Sequence, residues 1–146
     1  MSQYKHILVG VDLSKESTQV LQRAINVAAT NSATLSIAHV IEPLTFAYGG
    51  DIPMDLSEVQ DQLQQQATEQ LAKLSETAQI PEPRRHVVIG QPAMEIHQLA
   101  QAENADLVVV GSHGRRGLAL LLGSTANAVL HGATCDVLAV RVKKSE

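Results

Sequence analysis

Residues 107–125 read LVVVGSHGRRGLALLLGST, and this stretch decides the fold. One leucine and three valines in a row are typical of a strand that is buried on both faces of a sheet. The glycine-rich segment after them predicts a loop, and Gly123-Ser124-Thr125 predicts the start of a helix. This order indicates an anion site, because loop glycines let backbone N–H groups approach a ligand and the helix N-terminus adds unpaired donors.

Phosphate is the anion that this loop favours. Arg115 and Arg116 supply fixed positive charge, and we expect at least one of them to point at phosphate and the other at solvent. The chain contains neither the P-loop pattern nor the Gly-x-Gly-x-x-Gly pattern of dinucleotide sites. His113 lies between the loop glycines, but no carboxylate partner for it is evident, so we favour hydrogen bonding or exposure over a general-base role.

The composition argues against several classes of protein. A net charge of −4, a single phenylalanine and no tryptophan disfavour nucleic-acid binding, which needs a basic surface and aromatic platforms. No apolar stretch is long enough to span a membrane, and the run near the start is too short for a signal peptide. The single Cys135 excludes an intramolecular disulfide and is interpreted as a packed thiol. We therefore predict a cytoplasmic protein.

The rest of the chain alternates between strand and helix patterns. Short apolar or alternating runs predict strands at 7–11, 33–41, 84–89, 107–110 and 135–142. Between them, helical periodicity predicts a first helix with Ser14 as its N-cap, a second from Asp55 to Ala78, a third with Pro92 in its first turn and a fourth from Ser124 to Gly132. Residues 44–54 lack periodicity and are interpreted as a long loop.

This alternation predicts one α/β domain over residues 1–146, with a parallel sheet and helices on both faces. In doubly wound sheets of this size, a crevice opens where the strand order reverses, at the carboxyl ends of the strands. Asp12 follows the first strand and Gly111 follows the fourth. If those strands are neighbours, Asp12 meets the glycine-rich loop in the crevice, although the same residue could instead cap the first helix.

Two parts of the chain resemble the universal stress proteins. Residues 5–14 read KHILVGVDLS, and residues 106–124 are followed by CDVLAVR at 135–141, so that the resemblance covers the whole chain. ATP-binding members of that family carry Gly-x-x-Gly, a gap of nine residues, and then Gly-Ser or Gly-Thr. Gly111, Gly114 and Gly123-Ser124 match this motif, but only eight residues separate Gly114 from Gly123.

The resemblance implies a five-stranded parallel sheet with strand order 3-2-1-4-5 and a site for ATP, or for ADP or AMP, together with Mg²⁺. It also implies that Asp12 lies near the ribose or a bound metal and that the backbone of Val40 contacts adenine. Gly111 and Gly114 would let the chain pass close to ribose and phosphates. The phosphates would bind the last three residues of the motif, which are Gly123, Ser124 and Thr125.

The function that follows is that of a nucleotide-dependent stress-response regulator. One alternative is an interaction protein that has lost nucleotide binding through the shortened gap; another is a slow ATP hydrolase or a related phosphohydrolase or nucleotidyl-transfer enzyme. We expect a homodimer through the edge of the fifth strand, Val137 to Val142, because self-pairing covers an apolar edge. The family resemblance also implies a homodimer. A protein partner is expected but not identified, whereas nucleic acid and membrane are not expected partners.

Overall fold

A five-stranded parallel sheet forms the centre of the molecule, with strand order β3-β2-β1-β4-β5. The structure is a computed structural model and describes residues 3–43, 57–112 and 124–143. The α/β class and the strand order expected from the sequence are both confirmed. The strands are β1 His6–Gly10, β2 Thr34–Ile41, β3 Arg85–Ile89, β4 Leu107–Gly111 and β5 Asp136–Val140.

Helices cover both faces of the sheet. The described helices are α1 Ser17–Asn31, α2 Ser57–Thr77, α3 Pro92–Ala102 and α4 Ser124–Gly132, and a short 3₁₀ turn occupies Glu82–Arg84. The alternation along β1 shows how the core divides, since Ile7 and Val9 pack toward α1 and α2 while Leu8 packs toward α3 and α4. A strand whose two faces are both covered must be apolar throughout, which explains the unbroken apolar runs of β1 and β4.

The start of the first helix differs from the prediction. Ser14 is not the N-cap; its carbonyl accepts the Ser17 N–H at 3.1 Å, and Glu16 occupies the cap position without a side-chain capping bond. The reason is that the Asp12 carboxylate binds Ser14 and Ser17 and adds a turn before the helix begins.

All five predicted strands differ from the observed ones by one or two residues at an end; β2 begins one residue later, at Thr34, and β4 ends one residue later, at Gly111. β1 begins at His6, because His6 pairs with Thr34, and Arg84 belongs to the 3₁₀ turn before β3. β5 ends at Val140. Beyond it, the Lys143 N–H donates to Oε1 of Gln19 on α1, and the Lys143 carbonyl accepts from Nε2 of the same side chain. The predicted loop at 44–54 and the predicted start of the second helix at Asp55 lie outside the described residues.

The strand order reverses between β1 and β4. From β1 the chain continues to β2 on one side, whereas from β4 it continues to β5 on the other. The two strands are in register, with Val9 opposite Val109, so that their carboxyl ends lie at the same edge of the sheet. This is the position at which open α/β sheets form a ligand crevice.

Candidate functional site

The crevice opens because the two central strands turn away from each other. Extending the register of β1 and β4 sets Val11 level with Gly111. At this level the Val11 N–H donates to the Ala38 carbonyl on β2 at 2.9 Å, while the Ser112 N–H donates to the Val140 carbonyl on β5 at 2.7 Å. Each chain therefore bonds to its outer neighbour, and no β1–β4 pairing extends beyond Val9 and Val109 in the register of the described strands.

Asp12 shapes the loop between β1 and α1. Its Oδ1 accepts the Ser14 N–H at 3.0 Å and the Ser17 hydroxyl at 3.1 Å, and Asp12 itself is half-buried. A carboxylate that binds the N–H two residues later forms a tight local turn. Asp12 does not cap α1, because Glu16 holds the N-cap position, although the Asp12 carboxylate binds the Ser17 hydroxyl at the first residue of the helix. The ligand-binding interpretation of Asp12 stays a prediction.

Leu13, the next residue, has a backbone conformation that is unusual for a leucine. Its φ is 62°, in the left-handed region. The other described non-glycine residues with positive φ are Ser32, Gln79 and Asn104, and each of these follows the end of a helix, where such a conformation is common. Leu13 is instead at the switch point of the sheet, and left-handed backbone costs a leucine roughly 1–2 kcal/mol.

His39 and Val40 form the β2 side of the crevice. In a parallel ladder, the bond after Val11 N–H to Ala38 would join the Val11 carbonyl to the Val40 N–H. That bond is absent; the Val11 carbonyl lies 2.8 Å from Nδ1 of His39 instead. Since a carbonyl only accepts, Nδ1 is the donor. The Val40 main chain faces the crevice with no main-chain partner there among the described residues.

Gly111 and Ser112 form the β4 side. Gly111 is the last residue of β4 and pairs with Val140. Ser112 is only 6% exposed, and its hydroxyl has no hydrogen-bond partner among the residues that the structure describes. The remaining buried serines of the described chain are all paired, Ser17 with Asp12, Ser36 with His6 and Ser75 with the Leu71 carbonyl.

The rest of the predicted site is only partly described. Ser124 and Thr125 begin α4, and because a crossover helix runs opposite to the strands it connects, this N-terminus lies at the carboxyl edge of the sheet. The other predicted residues of the glycine-rich segment lie outside the described residues; they are Gly114, Arg115, Arg116, Gly123 and His113.

Sequence reasoning missed two residues of the crevice. Neither His39 nor Ser112 was assigned a role from the sequence. The register of β2 against β1 is the signal that places His39 opposite Val11, and it is visible only in three dimensions. For Ser112, the alternation of Val108 and Val110 toward the α3–α4 face continues to position 112, which makes a buried hydroxyl there foreseeable.

Two histidines and Glu103 lie at the amino edge of the sheet, opposite the crevice. His6 contacts the Glu103 carbonyl through Nδ1 at 2.8 Å and the Ser36 hydroxyl through Nε2 at 2.7 Å, while Nε2 of His86 lies beside the Glu103 carboxylate. Within the described residues, no three or more His, Cys, Asp or Glu side chains are grouped to hold a metal ion. These histidines therefore anchor the end of α3 to the sheet.

Cys135 also lies at the amino edge, just before β5. Burial, and to a smaller extent the charges of Asp136 and Asp106, raise the pKa of its thiol above the usual 9.0. A raised pKa keeps the thiol protonated at neutral pH, which agrees with a packed rather than a nucleophilic cysteine.

The architecture and the motifs lead to one family. The sequence model of the Universal stress protein family matches residues 3–141. The chain belongs to the universal stress protein family. Universal stress protein A homolog 1 of Coxiella burnetii (strain RSA 493 / Nine Mile phase I) is 47% identical over 143 residues, which cover 97% of this chain and 99% of that relative.

Solved structures of universal stress proteins share the fold. Universal stress protein UspA from Lactobacillus plantarum matches with a TM-score of 0.78 at 25% identity, over 97% of this chain and all of the other. A universal stress protein solved in complex with cAMP matches with a TM-score of 0.66 at 26% identity, over 96% of this chain and 98% of the other. Across the residues described for this family member, no helix is both long and apolar enough to cross a membrane.

Proposed function

We propose that this universal stress protein binds an adenine nucleotide, ATP in the first place, at the carboxyl ends of β1 and β4. The observation that carries the proposal is the interrupted ladder at Val11, which leaves the main chain of Val40 facing the crevice. A peptide N–H and C=O side by side can pair with the edge of an adenine ring. The solved family member in complex with cAMP supports the same ligand class.

The proposed roles of the residues follow from their positions. Adenine pairs with the backbone of Val40, and Asp12 lies near the ribose or a bound Mg²⁺. Gly111 and Gly114 let the chain approach the ligand closely, while Gly123, Ser124 and Thr125 bind phosphate at the N-terminus of α4. Arg115 and Arg116 add positive charge for a ligand that carries several negative charges.

We propose regulation rather than efficient catalysis as the consequence of binding. The proposed site residues bind and orient a nucleotide, and we assign to none of them the activation of a water molecule. Slow ATP hydrolysis is the alternative within the same site. A nucleotide that orders the crevice would change the surface that a protein partner meets, which is how binding could report a stress state in the cytoplasm.

A second function is favoured by one observation, the gap of eight residues between Gly114 and Gly123 where ATP-binding relatives have nine. In that case the chain acts through protein contacts alone. Isothermal titration with ATP and Mg²⁺ separates the two functions, with cAMP, ADP and AMP as further ligands and GTP as the matched control. Binding of ATP but not GTP supports the proposal; no heat with any adenine nucleotide up to millimolar concentration supports the interaction protein.

We also propose that the chain forms a homodimer through the edge of β5. In the described sheet β5 pairs only with β4, and Val137, Leu138 and Ala139 are half-buried. The Ser112 to Val140 bond sets the alternation, so that Ala139 directs its N–H away from β4. Ala139→Pro removes that donor and Ala139→Ser keeps it. Light scattering after size exclusion should find dimers of the wild type and the serine variant and monomers of the proline variant.

A further inference from the structure

Two neighbouring contacts end the β1–β2 ladder, and both involve the main chain of Val11. The ladder closes normally as far as Val11, whose N–H donates to Ala38. The next acceptor in the ladder is the Val11 carbonyl. It accepts a hydrogen bond from Nδ1 of His39 and not from the N–H of Val40. The imidazole thus occupies the place that the peptide group of Val40 would have in a continued ladder.

Register and side-chain length explain why a histidine at this position reaches that carbonyl. With Gly10 opposite Ala38, the extended register sets Val11 opposite His39, so that the two residues are direct neighbours across the strands. His39 carries its donor on the first ring atom beyond Cγ, within reach of a main chain one strand away. The Asp12 turn and the positive φ of Leu13 then lead the chain away from β2 toward α1.

The side chain of Val40 has a different environment from its main chain. It packs against the cluster formed by Leu8, Ala38 and Ile96 on the α3–α4 face. This packing holds the backbone of Val40 in place while leaving its peptide groups directed along the sheet toward the crevice.

We propose that His39 is the positioning residue of the adenine subsite, in that its bond to the Val11 carbonyl stops the ladder and keeps the N–H and C=O of Val40 available to an adenine edge. The role in adenine binding rests on the proposed function, whereas the effect of His39 on the β1–β2 ladder does not depend on any ligand. His39 acts through Val11 and Val40 and needs no contact with the nucleotide. The recognition of adenine rather than phosphate is the property that it controls.

Amide hydrogen exchange measured by NMR tests the effect on the ladder directly. His39→Asn keeps an N–H donor at the position of Nδ1, and His39→Phe keeps a ring but has no donor. In the wild type and the asparagine variant we expect the Val40 amide to exchange faster than the laddered amide of Ala38. In the phenylalanine variant the Val40 N–H should close onto Val11, and its exchange should slow by about tenfold or more, because a ladder bond opens only with its strand.

Titration with ATP and with inorganic tripolyphosphate tests the effect on the ligand. We expect His39→Phe to weaken ATP binding about tenfold, which corresponds to the loss of one to two hydrogen bonds. The affinity for tripolyphosphate should not change, and the asparagine variant should bind ATP almost as tightly as the wild type. Unchanged exchange at Val40 in His39→Phe would overturn the inference. Equal weakening of ATP and tripolyphosphate would also overturn it, since the effect would then not concern adenine. If the wild type binds no ATP while the exchange result holds, the proposed function fails and the ladder role of His39 stands.

Discussion

The Asp12 carboxylate accepts a hydrogen bond from the Ser17 hydroxyl at 3.1 Å, and the same oxygen accepts the Ser14 N–H at 3.0 Å. One acceptor atom thus ties the end of β1 to the first residue of α1. Ser17 is buried, so its hydroxyl depends on this bond for a partner. The loop that lines the crevice is therefore held by Asp12 before any ligand arrives.

Asp12→Ala should lower the free energy of unfolding by about 1–2 kcal/mol, because it removes the acceptor of two bonds that organise a helix start. Asp12→Asn keeps a side-chain oxygen and should lose less than half as much. Urea unfolding measures both values. Nucleotide titration should instead show a similar loss of affinity for the two variants if the negative charge serves ribose or Mg²⁺. Equal destabilisation by Ala and Asn would mean that the charge, not the acceptor, holds the turn.

Ser112→Ala should raise the free energy of unfolding by about 1 kcal/mol, because it removes a buried hydroxyl that has no partner within 3–43, 57–112 and 124–143. Ser36→Ala is the matched control, since Ser36 is a buried strand serine whose hydroxyl lies 2.7 Å from Nε2 of His6. That change should lower the free energy of unfolding by about 1–2 kcal/mol. Thermal unfolding of the two variants measures both changes in stability. If both substitutions destabilise the chain, the Ser112 hydroxyl has a partner in solution.

The contrast between the fold and the crevice shows what the sequence can predict. Apolar runs such as Val108 to Val110 encode a buried strand locally, and strict alternation with helices then leaves few sheet orders. Asp12 and Gly111 could be predicted to lie at the same edge of the sheet, because each is at the carboxyl end of a central strand. The role of His39 could not, since it depends on the single residue at which two strands stop pairing. At that residue the Val11 carbonyl bonds to the His39 ring, and the Asp12 turn and the positive φ of Leu13 follow; none of these features leaves a periodic pattern in the sequence.

Gly132→Ala should lower the free energy of unfolding by about 1 kcal/mol, although alanine is the better helix residue. A Cβ on Gly132 would lie 2.9 Å from Nε2 of His97, so the ring would have to move from its place between α3 and α4. Gly132 is the last residue of α4, and it is not among the positive-φ glycines of the described chain, so the close approach of His97 is the reason for a glycine here. In a His97→Ala background the same change should be neutral or stabilising. An equal cost in both backgrounds would rule out the ring as the cause.

Cys135 should react slowly with thiol reagents near neutral pH. Burial, Asp136 and Asp106 raise its pKa above 9.0, so the reactive thiolate forms only at higher pH. The rate of Cys135 modification, measured from pH 7 to 10, should reach its midpoint at a higher pH in the folded chain than in the same chain unfolded in urea. A pKa raised by folding stabilises the folded chain fully below pH 9.0 and ceases to do so as the pH rises through the folded value. Cys135→Ala should therefore flatten the fall in stability above pH 9; a midpoint below 9.0 would contradict burial of the thiol.

Restoring the nine-residue spacing should strengthen triphosphate binding. The eight residues between Gly114 and Gly123 join the strand side of the proposed phosphate site to the N-terminus of α4, and a shorter connection limits how far the two can separate around a ligand. One glycine inserted in this segment should improve ATP affinity by roughly three- to tenfold, equivalent to about one added hydrogen bond, and leave adenosine unchanged. A glycine inserted after Gly50 is the control. If the insertion leaves ATP affinity unchanged or lowers it, eight residues suffice, and the shortened gap no longer supports an interaction protein over a nucleotide-binding one.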